Sequence, residues 1–184
     1  MNSKIVTSEI AEPYARALLS LTQDSGTTDE VNSLAQGLMG LLEESQELVD
    51  FLASPIVSPD AKKGTIKRVL GESANANFLN FLQLLVDRGR ASLMSPILEQ
   101  YRSLVRDVNQ TVLAEVVSAV QLSDSQRDSV CQRVIAMTGA KAVELSTSLD
   151  DSLLGGVIIK VGSQVVDASL RGQLRRIGMQ LGLA

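Results

Sequence analysis

The apolar period of this 184-residue chain changes once, near residues 105–111, and that change limits the fold more than any single motif. Up to Val108 the large apolar side chains recur every three to four residues, as on amphipathic helices. From Thr111 onward they come in short valine-rich runs that alternate with polar residues, as on half-buried strands. A helical half followed by a half mixing strands and helices is an α+β fold. The expected architecture is an N-terminal six-helix bundle over residues 1–105, then a smaller α/β domain with a short mixed sheet over residues 106–184.

In the first half, Ile10, Tyr14, Ala17, Leu18 and Leu21 keep the spacing of one helical face, and Pro13 is tolerable only near that helix's first turn. The polar run 24–28 ends it. Val31, Leu34, Leu38, Leu41 and Leu42 mark a second helix, and a short third spans residues 47–52. Ser58 and Pro59 read as N-cap and first residue of a fourth, closed by Gly71 after Leu70. The fifth, residues 74–88, is apolar almost all round, with a narrow polar strip through Asn80, Gln83 and Asp87. Such a helix needs cover on several sides, either from the centre of its own bundle or from another chain. A sixth begins at Ser92 and buries Met94, Ile97, Leu98, Tyr101, Leu104, Val105 and Val108.

The second half reads as strand 111–120, helix 123–138 and strand 142–148. Ser123 and Gln126 have capping-box spacing and Gly139 suits a C-cap. The run 150–177 then holds a turn, a hairpin and a capped helix. Val157, Ile159 and Val161 alternate with Ile158 and Lys160, Gly162-Ser163 supplies a two-residue loop, and a second strand covers residues 164–168. Ser169 reads as the N-cap of a helix whose seam is Leu174, Ile177 and Leu181, with Arg171, Arg175 and Arg176 off it.

Composition excludes much chemistry. There is no histidine, so the usual neutral-pH proton shuttle is missing, and one cysteine allows no internal disulfide and no Cys/His zinc site. Asp150-Asp151 lacks the ligand spacing of a calcium loop and suits a turn or helix start. No phosphate-binding glycine motif is present, and no acid, base and nucleophile assemble into a catalytic set. No catalytic residue, cofactor or metal is therefore expected. A net charge of −4 speaks against nucleic acid as the main partner. The acidity sits in residues 1–105, with nine Lys+Arg against 13 Asp+Glu, whereas residues 106–184 hold eight of each. A partner segment with basic residues suits that half. No apolar stretch approaches the ~20 residues that cross a bilayer, and the N-terminus has neither a signal-peptide nor a transit-peptide pattern.

The series Asp150, Leu153, Gly155, Gly156, Val157, Ile159, Lys160 and Gly162, continued by residues 165–174, resembles the C-terminal signature of the delta subunit of F-type ATP synthase. That is the family of the oligomycin-sensitivity-conferring protein. Residues 10–19 resemble the family's first helix, and Asn77-Phe78-Leu79 through Leu84-Leu85-Val86 to Gly89-Arg90 its fifth. The wording of both ends is most similar to the cyanobacterial and plastid branch. The resemblance implies a non-catalytic stator subunit of a rotary proton-translocating synthase, present in one copy and tied to the membrane only through the complex. Its side would be the cytoplasmic or stromal face of a plasma or thylakoid membrane.

The implied partners are the alpha subunits of the catalytic head, with beta as a further candidate, and the b-type subunits of the peripheral stalk. By matched position the alpha N-terminus would meet Tyr14, Ala17, Leu18, Asn77, Asn80 and Phe81. The stalk would meet Arg171, Leu174 and Arg175. Without the resemblance, a soluble helix-binding adaptor or an RNA-binding α+β domain would fit the same patterns.

Gly178 inside the last helix weakens it by up to ~1 kcal/mol relative to Ala, so its last turn is expected to fray or to be ordered by a partner. Amide exchange with and without the partner measures this; equal strong protection in both states contradicts it.

Overall fold

The computed structural model describes residues 2–71 and 74–180. Among them are eight α-helices and one four-stranded mixed sheet, so the fold is α+β. The chain divides into two compact units, Met1–Val105 and Arg106–Ala184.

The first unit contains α1 (Asn2–Asp24), α2 (Thr28–Glu44), α3 (Gln46–Ala53), α4 (Pro59–Leu70), α5 (Ala76–Asp87) and most of α6 (Met94–Val108). One apolar cluster takes side chains from all six. Local signals set the helix starts: the Ser45, Ser58 and Asn75 side chains accept amide protons from the first turns of α3, α4 and α5. Pro59 opens α4, and Gly71 follows it at φ +80°. A long-range polar contact in this core ties α6 to α1 and α2. The Tyr101 hydroxyl lies 3.2 Å from Thr22 Oγ1 and donates to the Thr28 carbonyl at 3.4 Å. Burial pushes the Tyr101 phenol above its usual pKa, opposed by the Thr22 hydrogen bond, so it stays protonated.

Three sequence expectations need correction here. Helix α1 starts at Asn2, so Pro13 is in mid-helix. Its ring is on an exposed face, where water can replace the amide bond that proline forfeits. Helix α6 is preceded by a short 3-10 turn, Ala91–Leu93, and Val108 is 53% exposed at its end, outside the core. Leu41 is 43% exposed, and Ala35 takes the core position on α2 beside Val31, Leu38 and Leu42.

In the second unit, β1 (Thr111–Ser118) pairs in parallel with β2 (Ala142–Leu149) and antiparallel with β3 (Val157–Val161), which pairs antiparallel with β4 (Gln164–Asp167). Helix α7 (Asp124–Thr138) is the crossover that a parallel β1–β2 pair requires. It carries the full Ser123/Gln126 capping box and ends at Gly139 in the left-handed region. Val130 and Val134 of α7 pack with Ala114, Val116, Ile159 and Val161 from one face of the sheet. Cys131 is a half-buried free thiol on α7. Gly162, at φ +56°, turns the β3–β4 hairpin. Helix α8 (Leu170–Gln180) completes the unit. Of its expected seam, Leu174 is 63% exposed and Leu181 lies outside the described residues, as does Gly182.

Tyr101→Phe should lower stability by about 1 kcal/mol through the lost buried hydrogen bonds, and Leu98→Ala by roughly 2–5 kcal/mol through the cavity it leaves. Urea unfolding followed by circular dichroism measures both, and equal effects would contradict the packing described.

Candidate interaction surfaces

Helix α1 enters the core along Ala11, Ala15, Leu18 and Thr22, each fully buried. Their spacing of four, three and four residues is one helical stripe. Two of the four are alanines, which let the helix axis come close to its neighbours. The apolar residues next to that stripe are thereby turned outward: Ile10 is 42% and Leu21 40% exposed, Pro13 and Ala17 are exposed, and Tyr14 is half-buried.

Helix α5 packs beside α1 and repeats the arrangement. Phe78, Phe81, Leu82, Leu85 and Val86 are buried, while Asn77, Asn80, Leu84 and Arg88 follow one another outward. Asn77 is half-buried, Asn80 is exposed and Leu84 is 45% exposed. Two adjoining hollows lie on this side. One of about 390 Å³ is lined by Ile10, Pro13, Tyr14, Ala17 and Arg90, and the other, about 460 Å³, by Tyr14, Leu84, Arg88 and Arg90. Tyr14 and Arg90 are common to both, and the Arg90 guanidinium stands over the Tyr14 ring, 5.1 Å from its centroid.

The six residues expected at the head-facing groove thus divide. Tyr14, Ala17, Asn77 and Asn80 reach the surface, whereas Leu18 is fully buried and Phe81 only 8% exposed. Leu18 and Phe81 are the floor that holds α1 against α5. Ile10, Leu21, Leu84, Arg88 and Arg90 also reach this surface. Ile10 and Leu21 already shared the apolar spacing of Tyr14 in the sequence, but the choice of Ala11 and Ala15 as the buried line needed the fold. The groove's rim is cationic although residues 1–105 are net acidic, so local rather than total charge governs what its ends can bind.

In the second unit, the three expected stalk-facing residues Arg171, Leu174 and Arg175 are all exposed on α8. Leu170 and Met179, 49% and 54% exposed, add apolar surface to the same helix. Its N-terminus is built from Asp167 and Ser169. Asp167 Oδ1 accepts from the Ser169 amide at 2.9 Å and its hydroxyl at 2.6 Å, and Ser169 Oγ accepts from the Gly172 amide at 3.0 Å. The Ser169 bonds hold the Asp167 carboxyl below the usual carboxylate range, with smaller help from Arg176 and Arg175. Asp150 is lowered in the same way by Ser152, whose amide it accepts at 2.9 Å as it caps the short turn Asp151–Leu153.

Among the described residues no group of three or more His, Cys, Asp or Glu gathers to hold a metal ion, and no helix is long and apolar enough to cross a membrane. Exposed apolar and arginine-bearing helical faces lie on both units of the α+β frame. The family model for the ATP synthase delta (OSCP) subunit matches residues 10–181. ATP synthase subunit delta of Nostoc punctiforme is 48% identical over 181 residues, 98% of each chain. The Synechocystis protein of the same name is 49% identical over 184 residues, the full length of both. In fold, the chain is similar to one from the Toxoplasma gondii mitochondrial ATP synthase hexamer, with a TM-score of 0.68 at 20% identity, covering 93% of this chain and 96% of that one.

The chain belongs to the ATP synthase delta (OSCP) subunit family, and its function is that of a stator subunit of ATP synthase, a peripheral association with the membrane through the complex. The alternatives of an unrelated adaptor or an RNA-binding domain are set aside by a match of this length.

A carboxyl with a depressed folded-state pKa contributes stability above its unfolded pKa and loses it as pH falls through the folded value. Asp150 and Asp167 therefore predict that the second unit weakens on acidification below the ordinary carboxylate range. Asp167→Asn should flatten that part of the pH profile of thermal unfolding; an unchanged profile would contradict the assignment.

Proposed function

We propose that the chain is the joint between the two stationary parts of the synthase. The first unit acts as a six-helix bundle that receives an alpha-subunit N-terminal helix between α1 and α5. The second acts as a smaller α/β domain that holds the distal ends of the b-type stalk subunits through Arg171, Leu174 and Arg175 of α8. One copy serves each complex, on the cytoplasmic or stromal side of the plasma or thylakoid membrane. Its nucleic-acid, cofactor and catalytic roles are nil: a stator subunit transmits force through contacts and performs no bond chemistry.

The observation that carries this reading is the outward apolar line Ile10, Tyr14, Ala17 and Leu21 beside Leu84 of α5. A globular unit with no partner gains nothing from leaving these side chains in water. An amphipathic helix laid along them would bury its anchors at i, i+3, i+4 and i+7. Ala17 gives a partner helix room to approach, Asn77 and Asn80 offer side-chain hydrogen bonds, and Arg88 and Arg90 suit an acidic residue at one end. Beta-subunit contacts, if made, would border the same surface. On α8, Leu170, Leu174 and Met179 with flanking arginines suit a partner that is apolar at its centre and acidic at its edges.

Calorimetric titration of the full chain with the N-terminal peptide of its cognate alpha subunit tests the first contact. Ala17→Glu should weaken binding by roughly tenfold or more, a loss of about 1.4 kcal/mol, and Arg175→Ala should leave it unchanged. Ala17 is exposed, so its substitution spares the core, which Phe81→Ala would not. No binding by the folded wild-type chain, or equal loss in both variants, would overturn the groove.

A further inference from the structure

The direction in which α8 leaves the sheet depends on a small polar and steric cluster. After β4 the chain has only Ala168 and Ser169 before α8 begins, and both are clamped. The Ala168 amide donates to the Val157 carbonyl at 2.9 Å and the Leu170 amide to the Gly155 carbonyl at 3.0 Å, so the turn before β3 and the start of α8 share backbone hydrogen bonds. Ser169 is 2% exposed, and its hydroxyl links Asp167 to the Gly172 amide.

Two glycines make room for this. At Gly156, φ +79°, a Cβ would lie 2.5 Å from the Ala168 carbonyl oxygen and 2.8 Å from Ser169 Cα, both backbone atoms that cannot move aside. At Gly172 a Cβ would strike the Asp167 carboxylate, 2.7 Å from its Cγ. Gly172 is buried inside the first turn of a helix, where Ala would be the better helix former. Its absence of a side chain is explained by the carboxylate that occupies the space.

Resting on the reading of α8 as the stalk contact, we propose that Asp167, Ser169 and Gly172 are positioning residues for stalk binding: an elbow that fixes α8 relative to the sheet. The hydrogen bonds described between α8 and the rest of the unit gather at this end: the Leu170 and Gly172 amides are held there, and Arg176 reaches back to the Asp167 carbonyl at 3.4 Å, so the elbow sets the helix's aim. A helix already aimed loses less conformational freedom on binding, and it passes sideways force to the sheet instead of swinging.

The test uses the full chain as wild type, Gly172→Ala, Asp167→Ala, Gly172→Ala with Asp167→Ala, and Asp167→Asn. Affinity for the soluble part of the cognate b-type subunits is measured beside affinity for the alpha N-terminal peptide. In a Cys131→Ser background, spin labels on Ser146→Cys of β2 and Gln173→Cys of α8 report the distance distribution between sheet and helix. Gly172→Ala is expected to weaken stalk binding by about tenfold, and to add less than about twofold once Asp167→Ala has removed the carboxylate it collides with. Asp167→Asn keeps the Oδ1 acceptor and should stay near wild type. Alpha-peptide binding should be unchanged throughout. The label distribution should broaden in Gly172→Ala and in Asp167→Ala but not in Asp167→Asn.

Stalk affinities that match wild type in every variant, or losses from the two alanine substitutions that simply multiply, would overturn the elbow. If the wild-type chain does not bind the stalk, the assignment of α8 fails, and the label distances alone decide the elbow. A distribution as narrow in Gly172→Ala as in wild type would then refute it.

Discussion

The fully buried line Ala11, Ala15, Leu18 and Thr22 governs what the first unit can offer to another protein. Two alanines bring the α1 backbone close to the core, and Leu18 supplies the one large anchor. With the inner side filled by small residues, the larger apolar side chains at 10, 14 and 21 are left at or near the surface. The same reasoning applies to α5, where five buried apolar residues leave Leu84 and Asn80 exposed and Asn77 half-buried. The proposed docking face would draw on two helices that carry more apolar surface than their own core consumes.

The second unit obtains its exposed helix by another route. One face of the sheet packs on α7, and β1 lies at the centre of strand pairing, between β2 and β3. Helix α8 follows the edge strand β4 and is fixed at its N-terminal end by Asp167, Ser169 and the backbone of Gly155. Leu170 and Leu174 remain exposed, while Ser169 and Gly172 are buried and the Leu170, Gly172 and Gln173 amides are hydrogen-bonded. Rigidity at one end with free apolar surface along the helix is what a mechanical attachment requires.

Much of this was legible in the sequence, and for reasons that can be stated residue by residue. The starts of α4 and α7 and the hairpin at Gly162-Ser163 follow from local chemistry: a serine cap, a proline at the first position, a glycine with positive φ. Such signals act within four or five residues and need no knowledge of the rest of the chain. Helix α1 begins earlier than the intrinsic cost of Pro13 implies, because the exposure of Pro13 makes that cost bearable. The buried line of α1 lies about one position on the helical wheel from the line that spacing alone suggests. Spacing alone gives Ile10, Tyr14 and Leu21 as good a claim to the core as Ala11 and Ala15, and only packing against neighbours separates them. Gly156 and Gly172 were visible as letters of a motif, but their reason is a close approach to Ala168 and Asp167 that no local rule contains.

The central claim is that one covalent chain joins the head to the stalk through separate contacts on its two units. A protease site inserted at residues 109–110, in the turn between α6 and β1, of the assembled synthase tests it most directly, with ATP-driven proton pumping and ATP hydrolysis followed before and after cleavage. The account predicts that hydrolysis continues while pumping is lost, because rotation goes on after the stationary connection is cut. Pumping that persists at full rate after complete cleavage would contradict it.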